Sequence, residues 1–235
     1  MPSPELVIDA QTGEVRQAGA DGPGAWARQV REACEGYLYL FGKIVLGRRY
    51  FTTLHREICD FVQGPGGRRV ALAPREHGKT SIVAHCLPIH ILIQPKERNL
   101  YFPGEDGCEQ RVLIASATLE LAQESLGVIR GLLDGCALLR AWWPHRVWFD
   151  RPRSVKWNES ALVIPRVGSW PDPSVRAIGV GGEVTGRHPS ALVEDDLVGR
   201  EAANSPAVMD DAMDWHIAAG ALVNAPRCAS PSRRP

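Results

Sequence analysis

Residues 73–80 read APREHGKT and match the phosphate-loop pattern GxxxxGK[ST] at Gly78, Lys79 and Thr80, with Ala73 standing where the first glycine belongs. The chemistry behind the pattern survives that substitution. Backbone N–H groups around Gly78 and the N-terminus of the following helix present roughly half a positive charge to a phosphate. Lys79 then acts as a point charge for the β and γ phosphates of ATP, and the Thr80 hydroxyl completes the coordination of Mg²⁺. Arg75, His77 and Ser81 flank these residues and belong to the same candidate nucleotide cradle.

Such a site needs a second element, because Mg²⁺ takes oxygen ligands and an attacking water needs a group to orient or deprotonate it. Residues 191–197, ALVEDDL, supply one. The apolar start predicts a buried strand, at whose end Asp195 is placed as the metal carboxylate and Asp196 as the catalytic one. A strand ending one residue earlier would assign the two roles to Glu194 and Asp195 instead. The later pair is preferred, and the earlier remains an alternative.

The elements that must hold these residues alternate in type. Residues 69–73 (RVALA) predict a short buried strand entering the loop, and residues 82–93 predict a helix bent near Pro88. Residues 112–117 (VLIASA) form a second predicted strand, followed by a helix whose face is Leu119, Ala122, Leu126, Ile129 and Leu133 and which ends at Asp134 and Gly135. Upstream, residues 26–46 predict an amphipathic helix, residues 54–62 a shorter one, and residues 1–24 a leader without periodicity. Residues 94–110 are polar and predict a surface insertion. Residues 142–180 predict smaller β elements, a hairpin around Asn158, Glu159 and Ser160 and a strand at SVRAIGV, with four tryptophans read as packing residues. Ser205 and Pro206 open a last helix through Trp215. The expected fold is α/β, a phosphate-loop NTPase of the RecA/ASCE-like class: a mainly parallel sheet flanked by helices, with a small β insertion. Residues 1–48 are assigned to the leader and first helix, and 49–235 to the ATPase domain.

Composition narrows the setting. The 235 residues are 44% hydrophobic and 23% charged, with 27 Lys and Arg balancing 27 Asp and Glu, so any nucleic-acid contact must come from a local patch. No apolar run is long enough to span a membrane and no signal-peptide pattern opens the chain, which predicts a cytoplasmic protein. The six cysteines have no zinc-ligand spacing and are expected as buried thiols.

Four segments together resemble the large terminase subunit of tailed phages: PREHGKT, RVLIASAT with its helix, TGRHPSALVEDDLVGREAANSP, and the helix carrying Trp215. The resemblance covers about residues 50–224. It implies an ATP-hydrolysing motor that drives double-stranded viral DNA into a procapsid, working with a small terminase subunit and a portal protein as a homo-oligomeric ring in the host cytoplasm, transiently at the portal. It makes the missing first glycine and Arg75 family features, with Arg75 acting on the γ-phosphate, and it makes Phe51 and His55 candidates for contact with adenine. The family continues into a coupling motif and a nuclease domain, whereas residues 221–235 (ALVNAPRCASPSRRP) turn polar. A truncated gene, a frameshifted prophage remnant or a deliberately cut chain is therefore expected, without nuclease activity. The alternatives are a helicase-like or other ATPase with the same loop, although Leu197 and Val198 replace the Ala or His of DEAD and DEAH boxes, and a non-catalytic remnant that only binds nucleotide or partners.

Overall fold

Five consecutive apolar or small residues, Val112–Ser116, are buried along their whole length, as a strand covered on both faces must be. In the computed structural model, which describes residues 5–8, 15–18, 23–64, 67–74, 76–199 and 204–223, this strand (β3) is the centre of the sheet. Two elements precede it: β1 (Glu5–Ile8) and β2 (Val15–Ala18) pair antiparallel, with Glu5 opposite Ala18 and Ile8 opposite Val15. The leader thus contains a hairpin that its Gly, Ala and Asp content concealed. After β3 come β4 (Ala161–Leu162), β5 (Val175–Gly179) and β6 (Ala191–Glu194).

The sheet order is β4-β5-β3-β6. β3 runs parallel to both β5 and β6, with Ile114 opposite Ala177 on one side and Val193 on the other, and only β4 is antiparallel. SVRAIGV is accordingly an inner strand of the main sheet and not part of a separate β insertion. The hairpin expected around residues 158–160 is present in reduced form, as a Trp157–Leu162 bridge beside β4.

Helices cover both faces. The helices are α1 (Pro23–Gly36), α2 (Leu38–Leu40, continued by a π turn at Phe41–Val45), α3 (Thr53–Gln63), α4 (Leu87–Ile93, entered through a π turn at Ser81–Cys86), α5 (Leu119–Gly135), α6 (Ala137–Trp142) and α7 (Pro206–Leu222). The larger core joins Cys34, Leu38 and Phe41 to Ile82, Ile89, Ile114, Leu126 and Ile129 on one side of the sheet. The smaller places Trp215 and Ala219 of α7 against Leu113, Ala115 and Ile178 on the other. The helix expected over 26–46 is interrupted at Tyr37, which is extended (φ −143°, ψ 110°), so that Leu38, Tyr39 and Leu40 all turn inward. Residues 94–110 are more than a surface insertion: Gln94 and Asn99 are buried and bind backbone groups, the first at the Glu35 carbonyl and the second at the Glu105 carbonyl. The tryptophans pack as expected, and the indole N–H groups of Trp143, Trp148 and Trp157 go to Glu35, the Val163 carbonyl and Asp134.

One expectation fails outright. Residues 69–73 form no strand, and Val70 and Leu72 are 79% and 93% exposed. Apolar residues make a buried strand only where a neighbouring strand accepts their backbone groups. Here the segment is tethered by side chains instead: the Arg69 guanidinium donates to the Val62 and Gly64 carbonyls at the end of α3, and Arg68 donates to the Gly220 carbonyl of α7.

Candidate functional site

At the C-terminal end of the parallel strands, hydrogen bonding runs past the last strand residue. The Asp195 N–H donates to the Ala115 carbonyl (2.9 Å) and the Ala117 N–H donates to the Asp196 carbonyl (3.1 Å), which fixes both acids to the end of β3. Asp196 then turns the chain with φ +50°, a left-handed conformation that aspartate tolerates better than most residues. The three acids consequently face different surroundings. Glu194 accepts from or pairs with His216 of α7 at 2.8 Å, Asp195 is buried, and the Asp196 side chain is 74% exposed.

Lys79 meets this pair. Its Nζ lies 2.7 Å from Asp196 Oδ1 and 3.4 Å from Asp195 Oδ1, closing 117 residues of sequence separation. Burial pulls the Lys79 pKa down, but the Asp196 and Asp195 carboxylates outweigh it and hold it above the usual lysine value. Asp195 Oδ1 is buried and, apart from the Lys79 ammonium at 3.4 Å, has no donor in hydrogen-bonding geometry. A buried carboxylate oxygen in that state fits a hard cation such as Mg²⁺. Glu194, engaged on the α7 side, is not part of this contact.

The loop before Lys79 is shaped by glycine. Gly78 has φ +69°, and a Cβ there would sit 2.7 Å from His55 Nε2. Lys79 and Thr80 are already helical, and the Ile82 N–H bonds the Gly78 carbonyl at 3.1 Å. The remaining N–H groups of this first turn are thus available to a ligand. His77 is exposed and Thr80 half-buried. Arg75 lies outside the described residues.

The two upstream residues have different places. Thr52 caps α3, and its backbone N–H donates to His55 Nδ1 at 3.0 Å, which leaves the proton on Nε2, facing Gly78. Burial, then the charge of His77, lowers the His55 pKa, so the ring is neutral. Phe51 is 2% exposed, stacked on His55 (4.9 Å) and on Tyr39 (6.2 Å), so it supports the loop from beneath and offers no free face to a base. The exposed aromatic at the loop is Tyr50, whose hydroxyl donates to Ser81 Oγ at 2.9 Å and whose ring meets His55 edge to face. Sequence reasoning missed Tyr50, although it adjoins Phe51. It also missed His85, one turn into the helix after Lys79: burial and the nearby Arg48 push its pKa down to about 4, with Asp195 opposing them.

Among the described residues no group of three or more His, Cys, Asp or Glu side chains is arranged to hold a metal by protein ligands alone, and no helix is long and apolar enough to cross a membrane. Cys34, Cys59, Cys86 and Cys108 are buried free thiols and Cys136 a half-buried one, while Cys228 lies outside the described residues. No protein-family model and no curated protein matches the chain.

Proposed function

We propose that this chain is a phosphate-loop ATPase, the motor domain of a viral DNA-packaging terminase large subunit. The observation that carries the ATPase reading is the contact of Lys79 with Asp195 and Asp196, which brings together the two motifs that nucleotide hydrolysis requires. The terminase assignment rests on the sequence resemblance, with which the parallel α/β sheet is compatible.

In the ligand-free protein the carboxylates neutralise Lys79. ATP phosphates compete for the same ammonium group, and when Lys79 turns to them Asp195 Oδ1 and Asp196 are released for their own roles. Bound Mg²⁺ would offset the charge on the phosphate oxygens, with Thr80 and Asp195 as the protein oxygens to hold it. Asp196, solvent-exposed at the strand end, is placed to accept a proton from or orient a water. Arg75 is assigned to the γ-phosphate, where a planar guanidinium binds two oxygens at once. His77, Gly78 and Ser81 complete the cradle, and His55 presents its Nε2–H from below.

Phosphate release from ATP and Mg²⁺ by the full chain, with Lys79→Ala as control, tests the ATPase. Stimulation by duplex DNA or by a small terminase subunit, and not by single strands, tests the motor assignment against a helicase-like one. Turnover that Lys79→Ala leaves unchanged would reject the site. A second reading, nucleotide binding without turnover, is favoured by the unpaired segment 69–73, whose exposed Val70 and Leu72 leave the loop's entry outside the sheet. ATP binding by calorimetry with no phosphate release would select it.

A further inference from the structure

The opposite end of the sheet carries a second charged site. Where β3 and β5 begin, Arg111, Arg176 and Arg187 line an open recess with Asp172, Pro173 and Pro189. Three arginines and one aspartate line it. Asp172 is already committed, accepting the His188 N–H at 3.0 Å, and stands 4.0 Å from Arg187.

The arginines are held in place without being satisfied. Arg111 Nε donates to the His188 carbonyl (2.8 Å) while its guanidinium lies over the Trp170 ring at 4.5 Å. Arg187 Nε donates to the Glu183 carbonyl at 2.9 Å. Arg166, next to the recess, uses one terminal nitrogen to fasten the Trp170 and Asp172 carbonyls, both at 3.0 Å. Its other terminal nitrogen and Arg176 Nε are buried with no partner. Buried donors are normally bonded, and like charges are brought together only where an opposite charge compensates them. Burial, with Arg187's charge added, lowers the Arg176 pKa, and burial with Arg111's charge lowers that of Arg166 despite the opposing Glu109.

We propose that this recess is an anion site for a phosphate group, bound by Arg111, Arg176 and Arg187 and separate from the Lys79 site. Arginine is suited to it because its planar fork of donors pairs with two phosphate oxygens at once. The two sources of such a group are a free phosphorylated molecule and the phosphodiester backbone of a nucleic acid.

The test uses the full chain carrying Lys79→Ala, which removes the competing ammonium, so its outcome does not depend on whether the Lys79 site binds nucleotide. Calorimetric titration with inorganic phosphate should show saturable binding that Arg176→Gln with Arg187→Gln weakens at least about tenfold. Thermal melting separates this from a structural role. In phosphate-free buffer Arg176→Gln should melt at or above the parent temperature, because a buried donor without a partner is gone, and it should lose the rise that phosphate gives the parent. Displacement of phosphate by a short DNA duplex identifies the backbone as the source, and failure to displace it identifies a free phosphorylated molecule. Phosphate binding that the two substitutions leave unchanged, or a lower melting temperature for Arg176→Gln with the phosphate-induced rise intact, would overturn the proposal.

Discussion

Replacing Lys79 by methionine keeps most of the side chain's volume and removes its charge. Asp195 would then remain buried with neither a hydrogen bond on Oδ1 nor its cation at 3.4 Å. Coulomb attraction at that distance is worth about 1 kcal/mol if screened as in water and about 5 kcal/mol at an effective dielectric of 20. The Lys79 side chain is 25% exposed and Asp195 must be desolvated in either case, so a net loss of about 1 to 2 kcal/mol is expected. For a chain of this size that lowers the melting temperature by about 2 to 8 °C. Asp196, at 74% exposure, contributes little, since exposed pairs are worth about 0 to 1 kcal/mol. The double substitution Lys79→Met, Asp195→Asn should recover much of the loss, giving a coupling of at least about 1 kcal/mol in a double-mutant cycle. The same Lys79→Met chain should bind ATP roughly ten- to hundredfold more weakly, the worth of a charge-assisted hydrogen bond. Purely additive melting effects would show that the pair does not form, and unchanged ATP affinity would refute the phosphate-loop assignment.

The acidic residues should separate in the same assays: Asp195→Asn impairs Mg²⁺-dependent ATP binding, Asp196→Asn binds ATP without releasing phosphate, and Glu194→Gln, which loses only His216, retains both. Should Glu194→Gln and Asp195→Asn give the first two phenotypes instead, the roles move one residue earlier. Gly78→Ala should destabilise by about 1 to 2 kcal/mol from its φ of +69° and abolish binding, and adding His55→Ala should relieve the steric part, since the new methyl meets His55 Nε2. His90, fully buried between Tyr101 and the Cys34 carbonyl, is pushed by burial from 6.5 to about 4. The unfolded chain therefore binds the extra proton first, so this contribution to stability is complete above pH 6.5 and is lost as pH falls toward 4. Urea midpoints measured from pH 7 to 4.5 should decline, and a flat profile would contradict the buried neutral ring.

Periodicity made β3, α5 and α7 readable because each buries a continuous face: Ala122, Leu126, Ile129 and Leu133 recur at helical spacing, and VLIAS has no polar face to show. The position of Lys79 opposite Asp195 was legible for a different reason, that two motifs of one mechanism imply each other. Pairing partners were not legible. RVALA and SVRAIGV have similar composition, yet one stands in solvent and the other beside the central strand, because a strand is decided by what lies next to it. Local polarity misled at residues 94–110, where Gln94 and Asn99 are buried by bonding backbone. Burial was not legible at Phe51: the ring that the resemblance implies as an adenine contact is 2% exposed, while its neighbour Tyr50 is the exposed one.

The two sides of the loop are held unequally, and that asymmetry bears on what the site does. Behind Lys79 the chain passes through the Ser81–Cys86 turn into α4, with Ile82, Ala84, Cys86 and Ile89 fully buried, so the lysine's position relative to Asp195 is set by core packing. Before the loop, residues 69–73 pair with no strand; the side chains of Arg68 and Arg69 tether the segment, and Ala73 packs against the core. A five-residue ladder would give several backbone hydrogen bonds at about 0.5 to 1.5 kcal/mol each, with the burial of Val70 and Leu72 added. Binding needs a positive point charge and a helix start, both on the well-held side. Transition-state stabilisation needs donors fixed in advance at the developing charge, and in the sequence Arg75 comes two residues after Ala73. Nucleotide affinity should therefore depend mainly on Lys79, and turnover on whatever fixes residues 69–75.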